Sequence, residues 1–273
     1  MRKKTLRIRN LLLSIISILC IIGLSISILK IIQWKLDSDK IHDESDHINS
    51  LAKIKESDDN AELIDQEEEI PSFDPYWGYI KMRLIDVDFT QLKTINSDVK
   101  GWIQVNGTNI NYPFVQSKDN KYYLTHAFDL SDNSAGWVFL DYRNRMDDFN
   151  DKNTILYAHG RYDNTMFGSL RNILTSDWLN DSDNFVIKLS TEYENTLWQV
   201  FSVYRIPTTS DYIQTEFDNE DEFLDLMLKL KNRSYYDFKT SISAKDRVIT
   251  LSTCYDDSDK VVLHAKLIKR EAK

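Results

Sequence analysis

Cysteine is scarce in this sequence: 273 residues contain two. Two cysteines cannot build the framework of disulfides on which many small secreted domains depend. Glycine and proline are also sparse, at seven and four, and no internal repeat is visible. Basic residues are outnumbered, 34 against 43 acidic, for a net charge of −9. Five of them (Arg2, Lys3, Lys4, Arg7 and Arg9) crowd into the first ten positions, so the body is more acidic than the whole. That argues against a nucleic-acid partner, because neutralising phosphates requires a basic face. What the chain does have is 42% hydrophobic and 12% aromatic residues. With an anchor and a linker set aside, about 200 residues remain, enough for one domain with a substantial core.

The longest stretch without charge runs from Leu11 to Leu29. At about 1.5 Å per helical residue it spans roughly 28 Å, close to a bilayer core. A cleaved signal peptide is the competing reading. Its apolar region is shorter, however, and ends in a small-x-small site; here the stretch runs into Lys30-Ile31-Ile32-Gln33-Trp34-Lys35. Basic residues before it and acidic residues after it predict a cytoplasmic N-terminus and an extracellular body. The expected organisation is a basic tail (1–10), a single-pass membrane anchor (11–33), a polar extracellular linker (34–74) and one catalytic domain (75–273). The linker is rich in Asp, Glu, Ser, Lys and Asn, includes Glu67-Glu68-Glu69, and reads as a solvated spacer, partly helical at most.

A short helix is predicted over Ile80–Thr94. Eight runs rich in β-branched and aromatic residues then read as strands: Trp102–Val105, Ile110–Gln116, Trp137–Tyr142, Thr154–Ala158, Phe185–Leu189, Leu197–Ile206, Arg247–Cys254 and Val261–Ile268. Asn106-Gly107 marks a turn between the first two. Helices are predicted at Asn164–Leu174 and Asn219–Lys231, the latter capped by Asp218 or Asn219. Eight short strands suggest a mainly β fold closed into a barrel, which removes exposed edges.

Cys254 ends one of these runs and is the only cysteine outside the apolar segment; Cys20 lies within it. On a strand, Thr250, Ser252 and Cys254 share one face and Ile249, Leu251 and Thr253 the other. The thiol therefore sits at a strand tip, where a substrate carbonyl can reach it. A thiolate is the attacking species, so a nearby base or cation is required. His159 ends another strand, followed by Gly160, which lets the chain turn sharply. His42 and His47 fall in the spacer and His126 in a loop. His264, inside the last strand, is the second candidate for the acid/base. If the strands around residues 254 and 260 pair antiparallel, Lys260 returns to the thiol and can hold a developing oxyanion. Arg247 lies about 23 Å away along an extended strand, and on the other face. Acidic runs such as Asp256-Asp257 read as solvated loop. No metal site or cofactor is expected.

Together, Thr250-Leu251-Ser252-Thr253-Cys254, Tyr157-Ala158-His159-Gly160 with Met166-Phe167-Gly168, Gly101-Trp102-Ile103 and Gly107-Thr108-Asn109-Ile110-Asn111-Tyr112-Pro113 resemble a sortase of class B. Leu140-Asp141-Tyr142-Arg143-Asn144 and Val262-Leu263-His264-Ala265-Lys266-Leu267 add to the likeness, which covers most of 75–270. The helix at Asn219–Lys231 is similar to one that marks the class. The resemblance implies a membrane-anchored cysteine transpeptidase of Gram-positive-type bacteria. Such an enzyme cuts a C-terminal sorting signal of Asn-Pro-x-Thr-x type after Thr, through a thioacyl intermediate. An amine of the peptidoglycan cross-bridge then receives the surface protein. By position, Cys254 is the nucleophile and His159 the general acid and base.

One position departs from the family, which has arginine where this chain has Lys260; the loop before it is also short by a residue or two. Lysine keeps the charge but loses the planar fork. Lys260 substitutes, or another cation reaches in, or the enzyme is slow. Three other functions remain open: a hydrolytic cysteine peptidase, a catalytically weakened binding protein at the wall, and polymerisation onto a lysine of another protein. The loop Tyr204–Thr215 and the helix after it are expected to wall the substrate cleft, with Leu251, Ser252, Thr253 and Tyr212 as contacts.

Overall fold

A computed structural model of the chain describes residues 2–57, 60–64, 70, 72–145, 151–256 and 258–273, with side chains from Arg9 onward. The Glu67-Glu68-Glu69 triplet and Asp257 lie outside these residues. The chain divides into two compact units, 1–40 and 41–273. The first holds the apolar stretch, which lies on helix α1 (Arg2–Leu51) with its leucines and isoleucines exposed; the last turns of α1, from Ile41, belong to the second. Ser14, Ser17, Ser25 and Ser27 each donate to the carbonyl four residues earlier. The few polar side chains of the stretch are thus satisfied within the helix, as a lipid environment demands. The segment is long and apolar enough to cross a membrane and is a candidate anchor.

The second unit carries the sheet. Its strands are β1 (Lys55–Ser57), β2 (Glu62–Leu63), β3 (Leu84–Asp86), β4 (Val99–Val105), β5 (Asn111–Val115), β6 (Phe139–Leu140), β7 (Asn153–Tyr157), β8 (Val186–Thr191), β9 (Glu194–Pro207), β10 (Val248–Cys254) and β11 (Asp259–Ala272). Around the ring the order is β4-β5-β6-β7-β10-β11-β9-β8, and β8 pairs with β4 to close an eight-stranded barrel. All eight predicted strands are its staves. Most neighbours are antiparallel, but β5–β6 and β7–β10 are parallel. Gly107 holds the β4–β5 turn with φ of 69°, in the left-handed region that favours glycine.

Three local expectations differ. The helix foreseen over Ile80–Thr94 is replaced by β3, paired with β1, and α3 (Thr90–Ile95), after a single turn α2 (Tyr76–Tyr79). Leu84 and Ile85 are both buried in the β3 ladder, so their adjacency serves a short strand rather than a helix face. The Asn164–Leu174 helix begins only at Gly168, as a 3₁₀ helix followed by the single turn α4 (Ser176–Leu179), because Asn164 and Met166 adopt left-handed φ of 62° and 52°. The third difference lies in the spacer. Residues 41–51 are helical, and Ile41, Ile48 and Ala52 are buried in the main core. Two isoleucines one heptad apart suffice to dock a helix whose composition is otherwise polar.

The predicted C-terminal helix stands as α5 (Glu220–Asn232), and Asn219 caps it by accepting from the Glu222 amide at 2.9 Å. The main core cluster takes in Ile249, Leu251 and Leu263. A smaller cluster joins α5, through Phe223, Met227 and Leu230, to Tyr204, Val248 and Val262 of the barrel strands. Val248, Thr250, Ser252 and Cys254 alternate with the core residues, so the thiol sits on the face that α5 covers.

Candidate active site

Parallel pairing decides where the two reactive groups meet. Tyr157 of β7 stands opposite Ser252 of β10. Two residues further along each strand are His159 and Cys254, at the same rim of the barrel. Thr253 Oγ1 donates to the Ala158 carbonyl at 2.8 Å and extends the contact past the last ladder pair. Gly160 completes it. A Cβ built there would lie 1.9 Å from the Cys254 carbonyl oxygen. The glycine is therefore required by close approach of two backbones, and not by a left-handed turn. The His159 carbonyl accepts from the Phe167 amide at 3.1 Å and that of Gly160 from Arg171 at 2.8 Å, which fixes the segment from behind.

The His159 ring bonds through Nε2 to the Leu124 carbonyl at 2.8 Å. A carbonyl only accepts, so Nε2 carries a proton and Nδ1 is the nitrogen through which the ring can give or take one. Leu124 was not foreseen from the sequence. It contributes a backbone oxygen, and no side-chain identity reveals such a role.

Antiparallel pairing of β10 with β11 sets Cys254 directly opposite Lys260. Lys260 Nζ lies 2.9 Å from Cys254 Sγ. The loop between them is held by Arg205, which pairs with Asp256 at 2.8 Å and Asp259 at 2.5 Å and stacks 3.9 Å from the Tyr255 ring centroid. Arg205 is thus engaged by the loop, and the cation at the sulfur is Lys260.

A cavity of about 430 Å³ lies against this group, lined by Asn120, Leu124, Tyr157, His159, Tyr212, Ile213, Ser252, Thr253, Cys254 and Lys260 among others. A second, of about 410 Å³, shares His159 and Cys254 and reaches Gly160, Tyr162, Tyr255 and Asp256. Of the expected contacts, Ser252, Thr253 and Tyr212 line the first cavity. The Tyr212 and Ser252 hydroxyls are 2.9 Å apart, and burial pushes the Tyr212 hydroxyl up. Leu251 is a correction: it is fully buried in the barrel core and lines neither cavity, because its place on the strand turns it inward.

Behind the wall sits Asp141, fully buried. It accepts from Asn120 at 2.9 Å, from the Tyr157 hydroxyl at 3.0 Å and from three nitrogens of Arg143, the backbone amide among them. Burial raises its carboxyl, but these hydrogen bonds outweigh that and hold it below the usual range. His264, the second candidate for the acid/base, is excluded by its place. It is fully buried, bonded on both ring nitrogens, and lines neither cavity. Burial, with the Arg233 charge second, pushes its imidazole down to about 3, so it is neutral. Arg247 pairs with Glu194 at the far end of β10.

A sequence model of the sortase domain matches residues 103–268. Sortase B of Listeria monocytogenes is 39% identical over 188 residues, covering 67% of this chain and 75% of that protein. Sortase B of Staphylococcus aureus is 36% identical over 185 residues, 66% of this chain and 75% of its own. Among solved structures, sortase B from B. anthracis in complex with AAEK1 superposes with a TM-score of 0.69 at 31% identity, over 86% of this chain and 99% of that one. A Staphylococcus aureus sortase B–substrate complex gives 0.61 at 36% identity, over 66% and 84%. The closed barrel, the parallel strand pair at its rim and these matches agree, and the chain belongs to the sortase family of cysteine transpeptidases, in its class B.

Proposed function

We propose that the protein cleaves a C-terminal sorting signal of Asn-Pro-x-Thr-x type after Thr and transfers the new carboxyl end to an amine of the peptidoglycan. The observation that carries this reading is the convergence of Cys254, His159 and Lys260 on one cavity, with the ammonium 2.9 Å from the sulfur. In the first step the Cys254 thiolate attacks the Thr carbonyl. As the sulfur's charge passes to the carbonyl oxygen, Lys260 is released from Sγ to donate to that oxyanion. Protonated His159 gives its Nδ1 proton to the leaving amine, and a thioester remains. In the second step an amine attacks the thioester carbon. His159 takes the proton, and the thiolate departs. The second cavity offers the amine its own approach to the same sulfur. The anchor orientation we favour places the body outside the cell, since basic residues precede the apolar stretch and acidic ones follow it.

The test is turnover of a panel of Asn-Pro-x-Thr-x peptides by the full chain, with and without an added amine nucleophile, beside Cys254→Ala. Wild type should form a thioacyl adduct and, with amine, a ligated product; the variant should form neither. Cleavage whose products ignore the amine would assign a hydrolase instead. Absence of any adduct on a reactive Cys254 would remove the enzyme altogether.

A further inference from the structure

The mechanism leaves one buried polar chain unused, and its protons have a single consistent order. Thr250 donates its one hydroxyl proton to Asn153 Oδ1 at 2.7 Å. Its oxygen must therefore accept from His264 Nδ1–H at 2.9 Å. Nε2 then holds the lone pair and accepts from the Tyr204 hydroxyl at 2.8 Å. The Arg233 guanidinium lies 5.9 Å from the Tyr204 ring centroid and also grips Asp211. At the other end, Asn153 Nδ2 donates to the carbonyls of Gln214 at 2.9 Å and Tyr212 at 3.4 Å. The intervening Ile213 carbonyl accepts from Arg143 at 2.9 Å. Both ends of the chain thus close on residues 211–214, and Tyr212 and Ile213 from that segment form one wall of the cleft.

We infer that His264 is a positioning residue for substrate binding: its Nδ1–H tautomer orients the Thr250 hydroxyl and the Asn153 amide, which hold the 211–214 wall over Cys254. An amide flipped by 180° presents an oxygen to two carbonyl oxygens, so Asn153 holds its side of the wall only while the relay runs in this direction. The side chain touches no reacting atom. Its loss acts on binding of the peptide and not on the sulfur.

The kinetic arm of the test rests on the transpeptidase reading; the exchange arm does not. Thr250→Val and His264→Phe cut the relay at two points, and Thr250→Ser keeps it. In full-length protein, backbone amides of 211–215 should exchange about tenfold faster in the first two, the equivalent of one lost buried hydrogen bond, and as in wild type in the third. Amides of β10 and β11 should keep their protection. Peptide KM should rise about tenfold in the same two variants, with kcat and the rate of Cys254 alkylation by iodoacetamide within about twofold of wild type. Unchanged exchange in both variants overturns the inference. So does failure of Thr250→Ser to restore it, or loosening of β10 and β11 in parallel with the wall. A wild-type chain that turns over no peptide counts against the proposed function alone, and the exchange arm still decides the role of His264.

Discussion

Lys260 is the residue on which the proposed mechanism leans hardest, and the resemblance to class B sortases leads one to expect an arginine in its place. An arginine can bind a carbonyl oxygen and a second acceptor at once; a lysine is a point donor that must choose. Here it chooses the sulfur in the resting enzyme, at 2.9 Å. In the proposed mechanism it becomes available to the oxyanion only as the thiolate's charge moves away. Lys260→Ala should lower kcat on a sorting-signal peptide about a hundredfold, the usual cost of one oxyanion donor. Lys260→Arg should stay within about tenfold of wild type, since the charge remains. Steady-state kinetics of both variants give the answer, and wild-type rates in Lys260→Ala would take the residue out of the mechanism. Cys254, His159 and Lys260 can be singled out in the sequence because each stands at a strand end as an isolated reactive group, and the structure brings the three to one cavity. Leu124 was not, since only its carbonyl acts. Leu251 was misjudged because proximity in sequence to the thiol is not proximity in space on a strand.

At the scale of elements, β-branched runs announced all eight barrel strands. Apart from the neighbours β4–β5 and β10–β11, their pairing partners were hidden, because strand order depends on contacts far apart in sequence. The β7–β10 contact is the consequential one. Its parallel sense sends both C-terminal ends to one rim; an antiparallel pair would have put His159 and Cys254 at opposite ends of the ladder. Gly160 tests this directly. In Gly160→Ala the new methyl would meet the Cys254 carbonyl at 1.9 Å, and backbone must move on one side or the other. Overpacking of this kind costs about 1–3 kcal/mol. A displacement of about 1 Å at a nucleophile costs on the order of a hundredfold in rate. Peptide turnover should thus fall far more than the few degrees lost from the melting temperature. A variant that melts early yet turns over peptide normally would show that the approach of the two strands matters to the fold and not to the chemistry.

For the molecule as a whole, composition misplaces the start of the folded body. Everything from Asp37 to Ser72 reads as solvated, yet the second unit begins at Ile41. Ile41 and Ile48 are fully buried, Glu44 accepts from the Asp129 amide at 2.7 Å, and β2 adds to the ladder of β11 at Lys269 and Arg270. Ser57 also donates to the nearly buried Glu271 at 2.6 Å. Periodicity could not reveal the docking helix, because two isoleucines among charged neighbours are too few to raise an amphipathic signal. Burying each is worth about 1.5–3 kcal/mol as an upper estimate. A fragment of residues 75–273 should therefore be less stable than 41–273 by roughly 3 kcal/mol or more, a drop in melting temperature of about 6–12 °C for a domain of this size. Calorimetry on the two fragments measures it. Equal melting would mean that residues 41–74 serve only as a spacer. The expected gap would mean that the folded body begins at Ile41, with residues 41–51 built into its core.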